Sequence, residues 1–203
     1  MQKLKEHDIK IIYRNLNPTV QSAQEAVRAG ADIVVATGFD EGGSLPNLTI
    51  GTFSIVPMLA DAVDVPVLAA GGISTNRGFK SALALGAEGV YCGTLFLMST
   101  ESRMAPNVKE AVKKATARDL LTFRSLQAFY RSLPGALANE LVRMDLAGAT
   151  NEEIGKKMGG FSGLRVGMLE GDMNEEYVSV GNGITYINDV RPVADINRDI
   201  AGT

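Results

Sequence analysis

One cysteine and one histidine in 203 residues set the first limits on this chain. Cys92 alone can build neither an internal disulfide framework nor a cysteine-rich zinc site. His7 alone excludes chemistry that needs a pair of histidines. No apolar run reaches the ~20 residues that cross a bilayer, and the charged opening MQKLKEHDIK does not read as a signal peptide. A surplus of basic charge is also missing. Twenty basic against 23 acidic residues leave a formal net charge of −3, which gives nucleic acid nothing to hold. Hydrophobic residues at 45% and charged residues at 21% argue against disorder. What remains is a cytoplasmic globular protein with no membrane or nucleic-acid partner, and residues 1–203 suit a single domain. Glycine is the unusual entry in the composition, at 22 positions, and their placement carries the argument.

Short apolar runs alternate with helix-like stretches through residues 1–100, while residues 101–203 read as mostly helical. IKIIYR (9–14) is a strand, and Asn17–Pro18 looks like a cap with proline at the first helical position. The helix runs over 19–29 and stops at Gly30. ADIVVAT (31–37) has no polar residue after Asp32 until its end, as expected for a strand covered on both faces in a parallel sheet. The unit then repeats, with helix 53–63, strand 65–70, helix 77–85, strand 89–93 and a helix over about 99–117. Four β/α units in succession mean a parallel α/β sheet. Thr150 and Glu153 form a capping box for a short helix ending near Gly159–Gly160, and VADINRDI reads as a closing helix.

Three glycine clusters directly follow predicted strands: Gly38 with Gly42–Gly43, then Gly71–Gly72, then Gly93–Thr94. Strand C-termini are where α/β barrels and doubly wound sheets hold ligands. Glycine there permits positive φ and lets backbone N–H groups approach an anion closely. One such cluster alone reads as a tight turn. Two in succession, with Ser74 or Thr75 and Thr94 nearby, read as a phosphate cradle.

VPVLAAGGISTNRG followed by LGAEGVYCGTLFL resembles the FMN-binding half of the nitronate monooxygenase (2-nitropropane dioxygenase) family, which includes flavin-dependent enoyl-ACP reductases. The likeness extends upstream through AGADIVVATGFDEGG and returns downstream at EGDMNEEYVSVGNGI. It implies a TIM-type α/β barrel, FMN as cofactor, and a nitronate or an enoyl thioester as small-molecule substrate. By position, Gly71, Gly72, Gly93 and Thr94 would hold the FMN phosphate, and Gly42 and Gly43 would approach the cofactor. Asn182 stands where the family commonly has Gln near the flavin ring, and reads equally as a turn residue between two glycines.

The chain departs from the family in two ways. The family motif is usually Gly-Gly-His with a catalytic histidine, whereas this chain has Gly42-Gly43-Ser44. A serine hydroxyl without a partner base is no general base near neutrality, so Ser44 is expected to orient a nitronate that is already an anion. Secondly, four strands correspond to the C-terminal half of an eight-stranded barrel and do not close by themselves. A half-barrel of this kind belongs to a longer polypeptide, pairs with a second copy, or pairs with a separate chain. Homo-oligomerisation or a missing N-terminal half is the expectation, and the two departures together leave a truncated, catalytically silent flavin- or phosphate-binding homologue as the alternative to an enzyme. Other residues carry smaller expectations: Cys92 as buried packing, Asp40 and Glu41 as loop or substrate-side polarity, and Arg131 as packing or facing an anion.

Overall fold

The computed structural model describes residues 1–126, 128–160 and 162–202. The first part runs α1 (Gln2–Lys5), β1 (Ile12–Arg14), α2 (Val20–Arg28), β2 (Ile33–Thr37), β3 (Gly43–Leu45), α3 (Thr52–Ala60), β4 (Val67–Ala70), α4 (Asn76–Ala84) and β5 (Gly89–Tyr91). The second runs α5 (Thr94–Leu97), α6 (Pro106–Lys114), β6 (Leu121–Ser125), β7 (Ala128–Ser132), α7 (Ala136–Leu146), α8 (Asn151–Met158) and α9 (Ser162–Arg165). A wide π turn (Val166–Glu170) and a 3-10 turn (Asn182–Tyr186) precede the closing α10 (Val193–Ala201).

The expected parallel sheet is present, in the order β1-β2-β4-β5, with Ile12 beside Ile33, Val34 beside Val67 and Leu68 beside Gly89. Its centre is apolar because β2 and β4 have neighbours on both sides. Val34, Ala36, Val67 and Ala69 pack with Ile55, Val56 and Leu59 of α3 and Ala23 of α2. The outer strands are barer, with Ile12 53% and Tyr91 48% exposed. β1 and β5 do not pair with each other, so the sheet is open.

Two expectations are corrected. The cap of α2 is Thr19, not Asn17: its hydroxyl accepts from the Ser22 amide at 3.0 Å, and the Ser22 hydroxyl accepts from the Thr19 amide at 3.1 Å. Asn17 instead accepts from the Asn47 amide at 2.6 Å, tying one loop to another. The helix expected over 99–117 is the shorter α6 alone, since Pro106, with no N–H to donate, opens that helix rather than lying inside it. The helices expected after residue 100 are present, and a sheet lies among them. β6 and β7 pair antiparallel, and β3 joins them to give a sheet in the order β3-β7-β6. LTFRS and AFYRS are period-2 segments, and Phe123 and Tyr130 stack at 5.8 Å while Tyr177 meets Tyr130 edge-on at 5.1 Å.

The Thr150 capping box is present, with Glu153 accepting from the Thr150 amide at 2.8 Å. Gly159 ends α8 in the left-handed region at φ 73°, and α10 covers the closing segment. Met98 and Met104 are buried in the core around α5 and α6, and His7 is exposed in the turn after α1.

Candidate functional site

Parallel strands deliver their C-terminal ends to one side of a sheet, so the residues that follow β1, β2, β4 and β5 share one mouth. A cavity of about 260 Å³ opens there, walled by Arg14, Glu41, Gly42, Gly71, Gly72, Gly93 and Thr94. Ser179, Gly181 and Gly183 close it from the C-terminal region. The glycines expected at a ligand site therefore converge, with the exception of Gly38 and Gly43.

They are glycine for different reasons. Gly71 and Gly72 have φ of +105° and +72°, and a Cβ on Gly71 would lie 2.8 Å from the Thr52 hydroxyl. At Gly42 a Cβ would lie 2.2 Å from the carbonyl carbon of Val180. The turn and the crossing of two loops demand these glycines whatever the cavity holds. Gly93 is another case. Its φ of −100° suits any L residue, and a Cβ there would meet nothing within 4 Å. Neither backbone conformation nor protein packing requires glycine at this wall.

The loop after β2 is held from three sides. Asp40 accepts from the Thr52 amide at 2.8 Å and from the Asn182 side-chain amide at 3.1 Å, and its backbone carbonyl accepts from the Asn182 amide at 2.9 Å. Arg131 donates to the carbonyls of Phe39 and Glu41, both at 2.6 Å, and lies 5.2 Å from the centre of the Phe39 ring. One nitrogen of its guanidinium thus ties the loop on both sides of Asp40. Asn182, expected beside the ligand, has its side chain on Asp40 and does not line the cavity. Replacing Asp40 by alanine should cost about 1–3 kcal/mol, because it strands two donors, and should speed amide exchange at Thr52; unchanged exchange there would contradict the clamp.

The hydroxyls divide similarly. Ser74 donates to the Gly183 carbonyl at 2.7 Å, and Thr75 caps α4 by accepting from the Gly78 amide at 3.1 Å. Thr94 accepts from the Gly181 amide at 2.9 Å, which leaves its own proton for an acceptor in the cavity.

Two charged side chains sit at the wall. Glu41 pairs through one carboxylate oxygen with Arg14, while its other oxygen is buried with no hydrogen-bond partner among the described residues. Burial pushes the Glu41 carboxyl up to about 7, against the opposing pull of Arg14 and Arg131. Cys92 lines the cavity half-buried, its thiol pushed up to about 11 by burial. Arg14 and Ser179 escaped the sequence reading. A charged residue ending an apolar strand was a usable signal for Arg14; Ser179 offered none.

Ser44 lies elsewhere. It is paired with Tyr130 across β3 and β7, and the two line a second cavity of about 80 Å³ with Ser125, Leu126, Gly155 and Met158. Tyr130 of the second cavity and Ser179 of the first are hydrogen-bonded, their hydroxyls 2.5 Å apart. Gly43, at φ +75°, backs onto that same pair.

A FabK structure from Thermotoga maritima is similar over the whole chain, with TM-score 0.89 and 34% identity, and the match takes in 63% of that protein. A nitroalkane oxidase from Streptomyces ansochromogenes shares the fold at TM-score 0.79 and 23% identity, over 99% of this chain and 59% of that one. A Staphylococcus saprophyticus protein described as "Probable nitronate monooxygenase" is 40% identical over 131 residues, which is 59% of this chain and 36% of the relative. The chain thus spans little more than a third of that relative's length. Among the described residues no helix is long and apolar enough to cross a membrane. The family model for nitronate monooxygenase matches residues 1–202. A match that takes in the glycine loops, the antiparallel sheet and the closing helix together leaves one conclusion: this chain belongs to the nitronate monooxygenase family.

Proposed function

We propose that the glycine-walled cavity binds FMN and that the chain serves the oxidation of a small nitronate by dioxygen. The observation that carries this reading is Gly93, a glycine that neither its backbone angles nor its packing requires, on the wall of a cavity bounded by two further glycine turns. A phosphate held by backbone amides needs that close approach. The cradle fits such a group, since Gly93 leaves space where a side chain would otherwise project and the Thr94 hydroxyl has a proton to give.

In this reading the backbone of Gly71, Gly72, Gly93 and Thr94 holds the phosphate, and Gly42 and Gly43 bring the loop after β2 against the rest of the cofactor. Asn182 acts through Asp40, by fixing that loop. Ser44, in the adjoining cavity, orients the nitronate by hydrogen bonding. When bound, the flavin supplies the redox chemistry, taking electrons from the substrate and passing them to dioxygen. Everything else is binding, orientation and exclusion of water.

Purified protein should carry a flavin absorption spectrum and consume oxygen when propionate-3-nitronate is added without NADH. Likeness to FabK favours a second reading, reduction of an enoyl thioester by NADH through the same cofactor. NADH oxidation that depends on an enoyl thioester, with no oxygen uptake on the nitronate, would select it.

A further inference from the structure

Hydrogen-bond accounting divides the hydroxyls around the glycine loops into two kinds. Ser74 donates to the Gly183 carbonyl at 2.7 Å and Thr52 to the Gly71 carbonyl at 2.9 Å, so neither has a proton left for a ligand. Thr94 and Ser179 line the cavity and stand the other way round. Thr94 accepts from the Gly181 amide, a group that can only donate.

Ser179 bonds to the Tyr130 hydroxyl, and burial fixes the direction of that bond. Tyr130 is 2% exposed and packed between Phe123 and Tyr177, and Ser179 is the partner of its hydroxyl among the described residues. A buried phenol proton has to be accepted by something. Tyr130 therefore donates and Ser179 accepts. Burial also pushes the Tyr130 phenol above its ordinary range, so it keeps the proton it gives to this bond. Ser179, half-buried at the cavity wall, is left with its own proton and no acceptor among the described residues.

We propose that Ser179 is a second hydroxyl anchor of the cavity, donating a hydrogen bond to the bound flavin at a point other than its phosphate, and that Tyr130 is the positioning residue that holds Ser179 as a donor. The inference rests on the reading above that the cavity binds FMN, and it adds a contact that the glycine loops do not supply. Thr94 follows Gly93 at the end of β5, inside the phosphate cradle. Ser179 instead stands against the start of β3, where a Cβ on Gly43 would lie 3.3 Å from its hydroxyl. β3 follows β2, and β4 lies between β2 and β5. Strands about 4.8 Å apart thus set the two hydroxyls against different parts of one ligand. The oxidised flavin ring offers carbonyl and nitrogen acceptors without charge, and a neutral hydroxyl donor matches them.

The test is titration of the full chain, freed of bound flavin, with FMN and with riboflavin, which lacks the phosphate. Quenching of flavin fluorescence gives the dissociation constants, and a urea midpoint is recorded for each variant. Ser179→Ala should raise the constant about five- to tenfold for both ligands, the worth of one hydrogen bond, with little change in midpoint. Thr94→Val should raise it for FMN and leave riboflavin little changed. Tyr130→Phe should weaken both ligands about threefold in wild type and not at all in Ser179→Ala, because it acts through that hydroxyl. Ser179→Thr, which keeps the hydroxyl, should retain most of the affinity. Unchanged constants in Ser179→Ala, a loss confined to FMN, or an alanine-like loss in Ser179→Thr overturns the anchor. An effect of Tyr130→Phe that persists in full in Ser179→Ala overturns the positioning role. Wild type that takes up neither flavin overturns the cofactor reading and this inference with it, and does so before any variant is made, so the two failures are distinguishable.

Discussion

Replacing Gly93 by valine should strip the protein of flavin while leaving its fold untouched. The backbone at Gly93 already lies at φ −100°, and its missing side chain would point into open space. Nothing in the protein resists the substitution, so stability should change by no more than about 0.5 kcal/mol, as for a surface site. The cavity responds differently. Three added carbons would stand where backbone amides must come within hydrogen-bond distance of a phosphate, and binding by at least two donors would be lost. Since hydrogen bonds to charged groups contribute about 1.5–3 kcal/mol each, flavin affinity should fall by a hundredfold or more. The measurement is flavin-to-protein absorbance after gel filtration, alongside a urea unfolding curve. A variant that keeps its full flavin content, or loses it only because it has unfolded, removes the cradle from the proposal. Gly42→Val makes a useful contrast, because its Cβ would strike the Val180 backbone and the fold itself should suffer.

The second large effect is on stability against pH. The Glu41 carboxyl ionises at about 7 in the folded chain and near 4.5 when unexceptional, because burial disfavours its charge. The folded state therefore binds the proton more tightly than the unfolded state. That contribution is whole below about pH 4.5 and is lost as pH rises through 7. At 1.36 kcal/mol per pKa unit it amounts to about 3 kcal/mol across the interval. Glu176, also raised by burial and by its neighbours Glu175 and Asp172, adds in the same direction. The carboxylates whose hydrogen bonds lower them, those of Asp32, Glu101, Glu110, Asp119 and Glu153, act in the opposite sense but only below their ordinary range. The window from pH 5 to 8 is thus left mainly to Glu41. Urea midpoints should fall between pH 5.5 and 8 in wild type and change much less in Glu41→Gln. A wild-type midpoint that rises with pH, or a glutamine variant that keeps the full slope, would show that burial does not govern this carboxyl.

Local signals made the parallel half of the molecule legible. The unbroken apolar run of residues 33–36 fixes β2 as a central strand, and glycines after Thr37, Ala70 and Cys92 mark the loops that converge on the cavity. The capping box at Thr150 and Glu153 needed four residues of sequence and nothing more. Other features depended on partners distant in the chain. The segment over 121–132 alternates as a strand should, yet its place in an antiparallel sheet became plain only with β3, some 80 residues upstream, as the third strand. Arg131 carries a charge that suited an anion, and its real partners are carbonyls of the loop after β2. Ser44 follows the glycine pair directly, but pairing with Tyr130 puts it in a neighbouring cavity.

By itself, the sequence determined the succession of β/α units, the parallel sheet and the collection of glycine turns at one end of it, because strand direction and covalent order oblige every such turn to emerge on the same side. Only the tertiary structure decided which of those glycines packing requires and which it does not, and only it brought Glu41, Arg14 and Ser179 to a common wall. The reason is physical: backbone conformation and element order are written in neighbouring residues, whereas the desolvation of a carboxylate or the empty space beside a glycine belongs to whatever the rest of the chain packs around it.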